Sequence, residues 1–206
     1  FDADGTSASN TLEYAYDDFA IASAAKALGD TDMAATFAAR AQNYRNTFDP
    51  QTRFAAARHR DGHFKTPTDP LQTYGEGFIE GNSWNFSFHV PHDVKGLMQQ
   101  MGGEEVFRQR LDQLFTMHLP EQYYADNEDI TEDCLVGGYV HGNEPRHHII
   151  YFYTMAGEPW KAADLVRRVY SEFYQNNTEG LAGNEDAGQM SAWYVLSALE
   201  IGRAHV

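Results

Sequence analysis

The chain has 206 residues, enough to bury one sizeable core, and its 30 acidic against 15 basic residues give a formal net charge of −15. A phosphate backbone or an anionic membrane would repel a surface of this charge, so nucleic-acid binding is a poor hypothesis. No apolar run approaches the roughly 18 residues of a membrane helix. The single cysteine, Cys134, rules out an internal disulfide and a thiolate zinc cage.

The predicted elements are nearly all helices joined by Gly, Asn and Pro loops. Asn10 and Glu13 resemble a capping box that opens the first helix, and Asp30 is the candidate cap of the second. Asp-Pro and Asp-Gly pairs predict irregular chain over 48–74, and acidic runs before two glycines predict a loop over 123–142. Helices that recur in pairs favour an all-α fold, either a toroid or a bundle. The later helices are predicted at 82–90, 93–101, 103–117, 145–156, 159–174 and 187–199.

Three segments share one construction, a Gly-Asn turn that carries a carboxylate and leads into an aromatic-rich helix. They are Glu-Gly-Asn-Ser-Trp at 80–84, Gly-Asn-Glu-Pro at 142–145 and Gly-Asn-Glu-Asp-Ala-Gly-Gln at 183–189. Helix capping explains each one singly, since Glu144 before Pro145 and Asp186 with Gln189 both fit N-terminal caps. The threefold recurrence favours function, because helical scaffolds gather catalytic groups in their loops.

Glycoside cleavage uses a pair of carboxyl groups. One protonates the leaving oxygen, and the other activates water or attacks carbon. Glu80 is the candidate acid, because burial beside Trp84 and Phe86 would keep its carboxyl neutral. Asp186, predicted on a polar helix start, would stay ionised and could act as the base.

Three histidines, His141, His147 and His148, indicate a metal at first sight. His147 and His148 are adjacent, however, and point about 100° apart on a helix, and no HExxH spacing occurs, so zinc is disfavoured. Calcium suits hard oxygen donors better. The candidate donors are Asn143, Glu144, Asn184 and Asp186. Composition leaves a metal-free site open as well.

Two other classes of function compete with a glycosidase. One is a metal-dependent hydrolase built on the histidines, and the other is a non-catalytic carbohydrate-binding module, which would need neither Glu80 nor Asp186. Three acids on the first helix, Glu13, Asp17 and Asp18, are interpreted as solvated surface, with a pocket rim as the alternative.

Four long strings resemble glycoside hydrolase family 92, the calcium-dependent, inverting exo-α-mannosidases, and they occur in the family's order over nearly the whole chain. They are TLEYAYDDFAIA from Thr11, EGNSWNFSFHVPHD from Glu80, GNEPRHHIIYFY from Gly142 and GNEDAGQMSAWYVLSAL from Gly183.

The resemblance implies that residues 1–199 are an incomplete part of an (α/α)6 toroid catalytic domain, which full-length members precede with a β-sandwich domain. It also implies hydrolysis of terminal α-linked mannose from glycans or mannan, a calcium ion that helps to bind and distort the sugar, and a periplasmic or secreted location. We expect the 206-residue chain alone to be inactive.

Carried over by motif, Glu80 is the general acid and Asp186 the general base. Asn143 and Glu144 are also the candidate calcium ligands. The substrate-binding residues implied are Asn82, Trp84, Asn143, Glu144, His147, His148 and Asn184.

The last seven residues, 200–206, break the family string after Leu199. Gly202 interrupts the helix, no apolar spacing continues, and Glu-Ile-Gly-Arg-Ala-His-Val back-translates into a common sequencing adapter. We therefore expect this tail not to be natural protein.

Overall fold

The computed structural model describes residues 2–66 and 68–199, so the expected non-native tail lies outside the described residues. The described residues form two compact units that divide between Gly102 and Gly103. Within the described ranges, no helix combines the length and the apolar character that crossing a bilayer requires.

The first unit is helical around a long irregular stretch. Its helices are α1 (Ser7–Leu28), α2 (Thr31–Arg40), α3 (Ser83–Phe86) and α4 (Val94–Met101). Asp30 caps α2 as predicted, because its carboxylate accepts a 3.0 Å hydrogen bond from the Met33 amide. The second helix then tightens into a 3-10 helix, Ala41–Thr47, and α3 is much shorter than the predicted 82–90. The irregular stretch over 48–74 is confirmed.

The start of α1 differs from the prediction. The helix begins at Ser7, and the Asn10 side chain donates to Asp4 at 2.7 Å, so the predicted capping box with Glu13 is wrong. Apolar residues lie on more than one side of α1, since Leu12 is fully buried whereas Tyr14 is 62% exposed. Such a distribution is typical of a helix that is packed on more than one side.

The second unit adds four helices and a small hairpin. They are α5 (Glu104–Thr116), β1 (Leu135–Val136), β2 (Tyr139–Val140), α6 (Phe152–Met155), α7 (Pro159–Phe173) and α8 (Gln189–Ala198). The two strands pair antiparallel where a plain loop was predicted. The predicted helix at 145–156 is instead two 3-10 turns, Glu144–Arg146 and Ile149–Tyr151, followed by α6.

Candidate active site

The turn that carries Glu80 is anchored on both sides. Before it, the Ile79 amide donates to the Ser9 hydroxyl at 3.2 Å. After it, the buried Asn82 caps α3, accepting from the Asn85 amide at 3.1 Å and donating to the Leu71 carbonyl at 3.3 Å. The Asn82 side chain is thus engaged in holding the turn in place.

Glu80 itself has left-handed backbone, with φ of 52°. For a residue with a long side chain this conformation costs about 1–2 kcal/mol, and such strain persists where the surroundings enforce it, often at functional sites.

The predicted burial of Glu80 is wrong, because its side chain is exposed. The aromatic rings that were expected to cover it pack elsewhere. Trp84 meets Phe54 edge to face at 4.7 Å, and the buried Phe86 stacks on Phe78 at 5.2 Å. In the described structure these rings pack on other aromatic side chains and do not bury Glu80.

Two acids of α1 have partners that the sequence did not reveal. Glu13 lies 3.0 Å from the buried imidazole of His89, and Asp18 pairs with Arg40 at 3.1 Å. The interpretation as solvated surface is correct for the exposed Asp17 and wrong for the buried Asp18. His89 belongs to the same recognisable string as Glu80, but no local spacing links it to Glu13.

In the second unit, the 142–148 segment is a tight, largely buried turn. The buried Asn143 is the N-cap of the 3-10 helix Glu144–Arg146, so the predicted capping role of Glu144 is displaced by one residue. His147 is buried and donates from Nε2 to the His141 carbonyl at 3.0 Å. His148 is half-buried and packs edge to face on Phe152.

The Asp186 turn is strained in the same way as the Glu80 turn. Asp186 has φ of 48°, and Ala187 and Gly188 continue in left-handed conformation at 54° and 94°. Gly188 is the N-cap of α8. The carboxylate that caps the helix belongs to Glu185, which accepts from the Ser191 amide at 3.3 Å and the Ser191 hydroxyl at 3.1 Å.

The predicted capping role of Asp186 is therefore wrong. Its side chain is exposed, and its carboxylate forms no hydrogen bond with the part of the chain that the structure describes. Because Glu185 performs the capping, a capping role of the Asp186 side chain does not explain its strained conformation.

The two Gly-Asn turns of the second unit lie against each other. A Cβ at Gly183 would overlap the Gly142 carbonyl oxygen, so only glycine permits this approach. Burial lowers the pKa of His147 to about 4, and the nearby charge of Asp186 acts in the opposite direction. The structure thus brings together the predicted residues of both turns.

Asn184 shows a contact that the sequence did not indicate. Its amide donates to the Asp129 carboxylate at 3.2 Å. Asp129 also has left-handed backbone, with φ of 52°. It lies in the segment predicted as loop, and no motif marks it.

The amino-acid sequence of nearly the whole chain matches one known enzyme family. A family model described as the glycosyl hydrolase family 92 catalytic domain matches residues 1–201. The chain belongs to glycosyl hydrolase family 92.

Solved structures of family 92 share the fold. The α-mannosidase BT3965 of Bacteroides thetaiotaomicron is 41% identical, and the match covers 95% of this chain and 24% of that one with a TM-score of 0.85. The inverting mannosidase BT2199 of Bacteroides thetaiotaomicron VPI-5482 is 38% identical, covering 93% of this chain and 26% of that one with a TM-score of 0.77. The prediction of an all-α fold that is part of an (α/α)6 toroid is confirmed.

A curated relative of this chain comes from a fungus. An uncharacterized secreted glycosidase of Arthroderma benhamiae is 26% identical over 215 residues, which cover 94% of this chain and 25% of the relative. The chain therefore spans about a quarter of the length of the relatives that it matches.

The candidate ligands of the calcium ion that the family resemblance implies are Asn143 and Glu144. Calcium takes six to eight oxygen ligands, and Asn143 and Glu144 offer only part of such a set. In residues 2–66 and 68–199, no group of three or more His, Cys, Asp or Glu side chains is arranged to hold a metal.

The histidines do not form a zinc site either. Both ring nitrogens of His141 are engaged, Nδ1 with the Tyr139 hydroxyl at 2.9 Å and Nε2 with the Tyr174 hydroxyl at 3.0 Å. His147 uses Nε2 for the His141 carbonyl. A hydrolase built on these histidines has no support in this geometry.

The buried histidines predict a loss of stability in acid. Burial lowers the pKa of His141 to about 2 and that of His147 to about 4, whereas an unfolded histidine titrates near 6.5. Below pH 6.5 the unfolded chain binds protons that the folded chain excludes, so the free energy of unfolding falls as the pH drops from about 6.5 to 4.

We expect His147→Gln to reduce this pH dependence by about one proton, because the amide still donates to the His141 carbonyl but does not titrate. Urea unfolding between pH 7 and 4.5, for wild type and variant side by side, measures the difference. Identical slopes for the two proteins would contradict a neutral buried His147.

Proposed function

We propose that this chain supplies the acid and the base of an inverting α-mannosidase, with Glu80 as the general acid and Asp186 as the general base. The observation that carries the proposal is backbone strain at both motif carboxylates. Among the described residues, five non-glycine positions have positive φ, and two of them are Glu80 and Asp186. Such outliers cluster at functional sites, and Asp186 has no capping role that would explain its conformation.

In this proposal the chemistry is a single displacement. The Glu80 carboxylic acid protonates the leaving glycosidic oxygen, while the Asp186 carboxylate takes a proton from the water that attacks the anomeric carbon from the opposite face. The exposure of both side chains in the described structure leaves them accessible to substrate. The α-mannosidases that this chain resembles, one of them inverting, support mannose as the sugar.

The remaining motif residues are proposed to bind the sugar or to shape its pocket. Trp84 offers a half-buried ring, and Asn184 offers an exposed side chain whose carboxamide oxygen can accept while its amide donates to Asp129, which suit the apolar face and the hydroxyls of a pyranose. Asn82 acts by holding the Glu80 turn, since its amide is already hydrogen-bonded. The residues of the neighbouring turn proposed to contribute are Asn143, Glu144, His147 and His148.

The test is hydrolysis by a full-length enzyme that carries this sequence. We expect release of mannose from α-linked mannobioses, no comparable release from α-glucosides or α-galactosides, and β-mannose as the first anomer seen by proton NMR. α-Mannose as the first product would contradict inversion. Binding of mannosides without any turnover would favour the carbohydrate-binding module instead.

We further propose that the enzyme needs calcium, with Asn143 and Glu144 among its ligands and with other donors completing the shell. A bound calcium ion would add positive charge that orients sugar hydroxyls. We expect exhaustive treatment with EGTA to abolish turnover and calcium, but not magnesium, to restore it. Activity that survives chelation, with no calcium found by elemental analysis, would remove the ion from the proposal.

An exported location and a second domain complete the proposal. The fungal relative is described as a secreted glycosidase, which supports export of this protein. The relatives are about four times longer than the matched region, and we propose that a β-sandwich domain is the intramolecular partner that completes the substrate pocket.

A further inference from the structure

A buried hydrogen-bonded network joins the end of β2 to the start of α8. His141 is fully buried, the Tyr139 hydroxyl lies 2.9 Å from its Nδ1, and the Tyr174 hydroxyl lies 3.0 Å from its Nε2. The Tyr174 hydroxyl in turn lies 3.0 Å from the Met190 carbonyl oxygen. We call these four residues the β2–α8 network.

The chemistry of the groups fixes every proton in the network. The Met190 carbonyl can only accept, so the single hydroxyl proton of Tyr174 is donated to it. The Tyr174 oxygen then accepts from His141 Nε2–H, and the bare Nδ1 of His141 accepts from the Tyr139 hydroxyl. Only neutral imidazole of this tautomer satisfies both partners, since a charged ring would present two donors.

The network ends at the turn that carries Asp186. Met190 is the second residue of α8, and its amide donates back to the Glu185 carbonyl at 3.3 Å, while the Gln189 amide donates to the Asp186 carbonyl at 3.0 Å. On the other side, Gly142 directly follows His141 and packs on Gly183. One end of the 183–190 segment therefore packs on Gly142, and the other is joined through Tyr174 to His141, so both ends meet the two residues that follow β2.

We propose that His141 and Tyr174 are positioning residues that hold the Asp186 carboxylate where it can activate water, a role that rests on the proposed function of Asp186. Neither side chain needs to touch substrate. Their hydrogen bonds hold the first turn of α8 against β2, and so oppose relaxation of the strained backbone at 186–188. Displacement of a catalytic group by about 1 Å can cost 10²-fold in rate.

The test compares Tyr174→Phe with Tyr170→Phe in a full-length enzyme that carries this sequence. The Tyr170 hydroxyl donates to the Tyr194 carbonyl of α8 at 3.3 Å, so both variants remove a bond between the same two parts of the chain. Only the Tyr174 bond lies beside the Asp186 turn. We expect Tyr174→Phe to lower kcat about 10- to 100-fold with little change in KM, and Tyr170→Phe to stay within about 3-fold of wild type.

The loss in Tyr174→Phe should be equal for poor and good leaving groups, because it concerns the base and not the acid. His141→Gln, which can still donate to the Tyr174 hydroxyl, should recover part of the kcat that His141→Leu loses. Equal kcat in Tyr174→Phe and Tyr170→Phe, or equal loss in His141→Gln and His141→Leu, would overturn the positioning role. If Asp186→Asn itself retains full activity, the proposed role of Asp186 as base is wrong. That result is distinct from the two comparisons that would overturn the positioning role.

Discussion

Asp186→Asn is expected to lower kcat of the full-length enzyme about 10²- to 10⁴-fold, the usual contribution of a general base. Asparagine keeps the size of the side chain and tolerates left-handed backbone, and the carboxylate that it replaces forms no hydrogen bond with the described residues. We therefore expect the thermal midpoint to stay close to that of wild type. Steady-state kinetics on an α-mannobiose and a melting curve measure the two quantities.

The matched control is the preceding residue, changed as Glu185→Ala. It removes the two hydrogen bonds to Ser191 that cap α8, so we expect about 1 kcal/mol of lost stability and a loss of kcat well below that of Asp186→Asn. The two neighbours should thus separate turnover from stability. A large loss of kcat in Glu185→Ala together with an active Asp186→Asn would reverse the assignment of the base.

Glu80→Gln is expected to lower kcat on an α-mannobiose by a similar factor, about 10²- to 10⁴-fold, because the amide cannot protonate the leaving oxygen. The dinitrophenolate of a dinitrophenyl α-mannoside leaves without protonation, so the hydrolysis rate of this substrate should fall far less. The ratio of the two rates, measured for wild type and variant, reports the acid role directly.

Glu76→Gln is the control for Glu80→Gln on the same loop. Glu76 is buried and pairs with Lys65 at 2.7 Å, so the change should lower the thermal midpoint while the dependence on leaving group stays that of wild type. If Glu80→Gln loses the same factor on both substrates, Glu80 is not the acid.

The positions of the helices were largely readable from the sequence, because their caps and breakers act locally. Asp30 caps α2 by a bond to an amide three residues away, and Gly29 ends α1 in left-handed conformation at φ 83°. The β1–β2 hairpin was missed because strands of two residues are too short to show an alternating pattern.

The same local rules failed at the site. Sequence spacing predicted Asp186 as a helix cap. Three successive left-handed residues, 186–188, instead make Gly188 the N-cap of α8, and the Glu185 carboxylate accepts from Ser191 in its first turn. Glu80 was expected to be buried by its neighbours in sequence, yet Trp84 and Phe86 turn towards Phe54 and Phe78. Backbone strain and core contacts of this kind depend on the tertiary structure.

Contacts between distant segments could not be predicted at all. His89 meets Glu13, and His141 meets Tyr174, across long stretches of chain that no spacing rule links. The family strings did include Glu13 and His89, and His141 directly precedes one of them, but Tyr174 lies in none. They could not show which side chains bind each other and which remain open to substrate.

The left-handed backbone at the two carboxylates proposed as acid and base, Glu80 and Asp186, has a consequence for engineering. Glycine adopts this conformation without steric cost, so Glu80→Gly should stabilise the fold by about 1 kcal/mol relative to Glu80→Gln. A directed-evolution campaign scored by heat resistance alone would therefore enrich glycine at position 80, and at position 186 to a smaller extent because Asp tolerates positive φ better. If the proposed roles hold, each round would yield a more stable polypeptide without its acid or its base, so thermal selection would have to be coupled to an assay of sugar release.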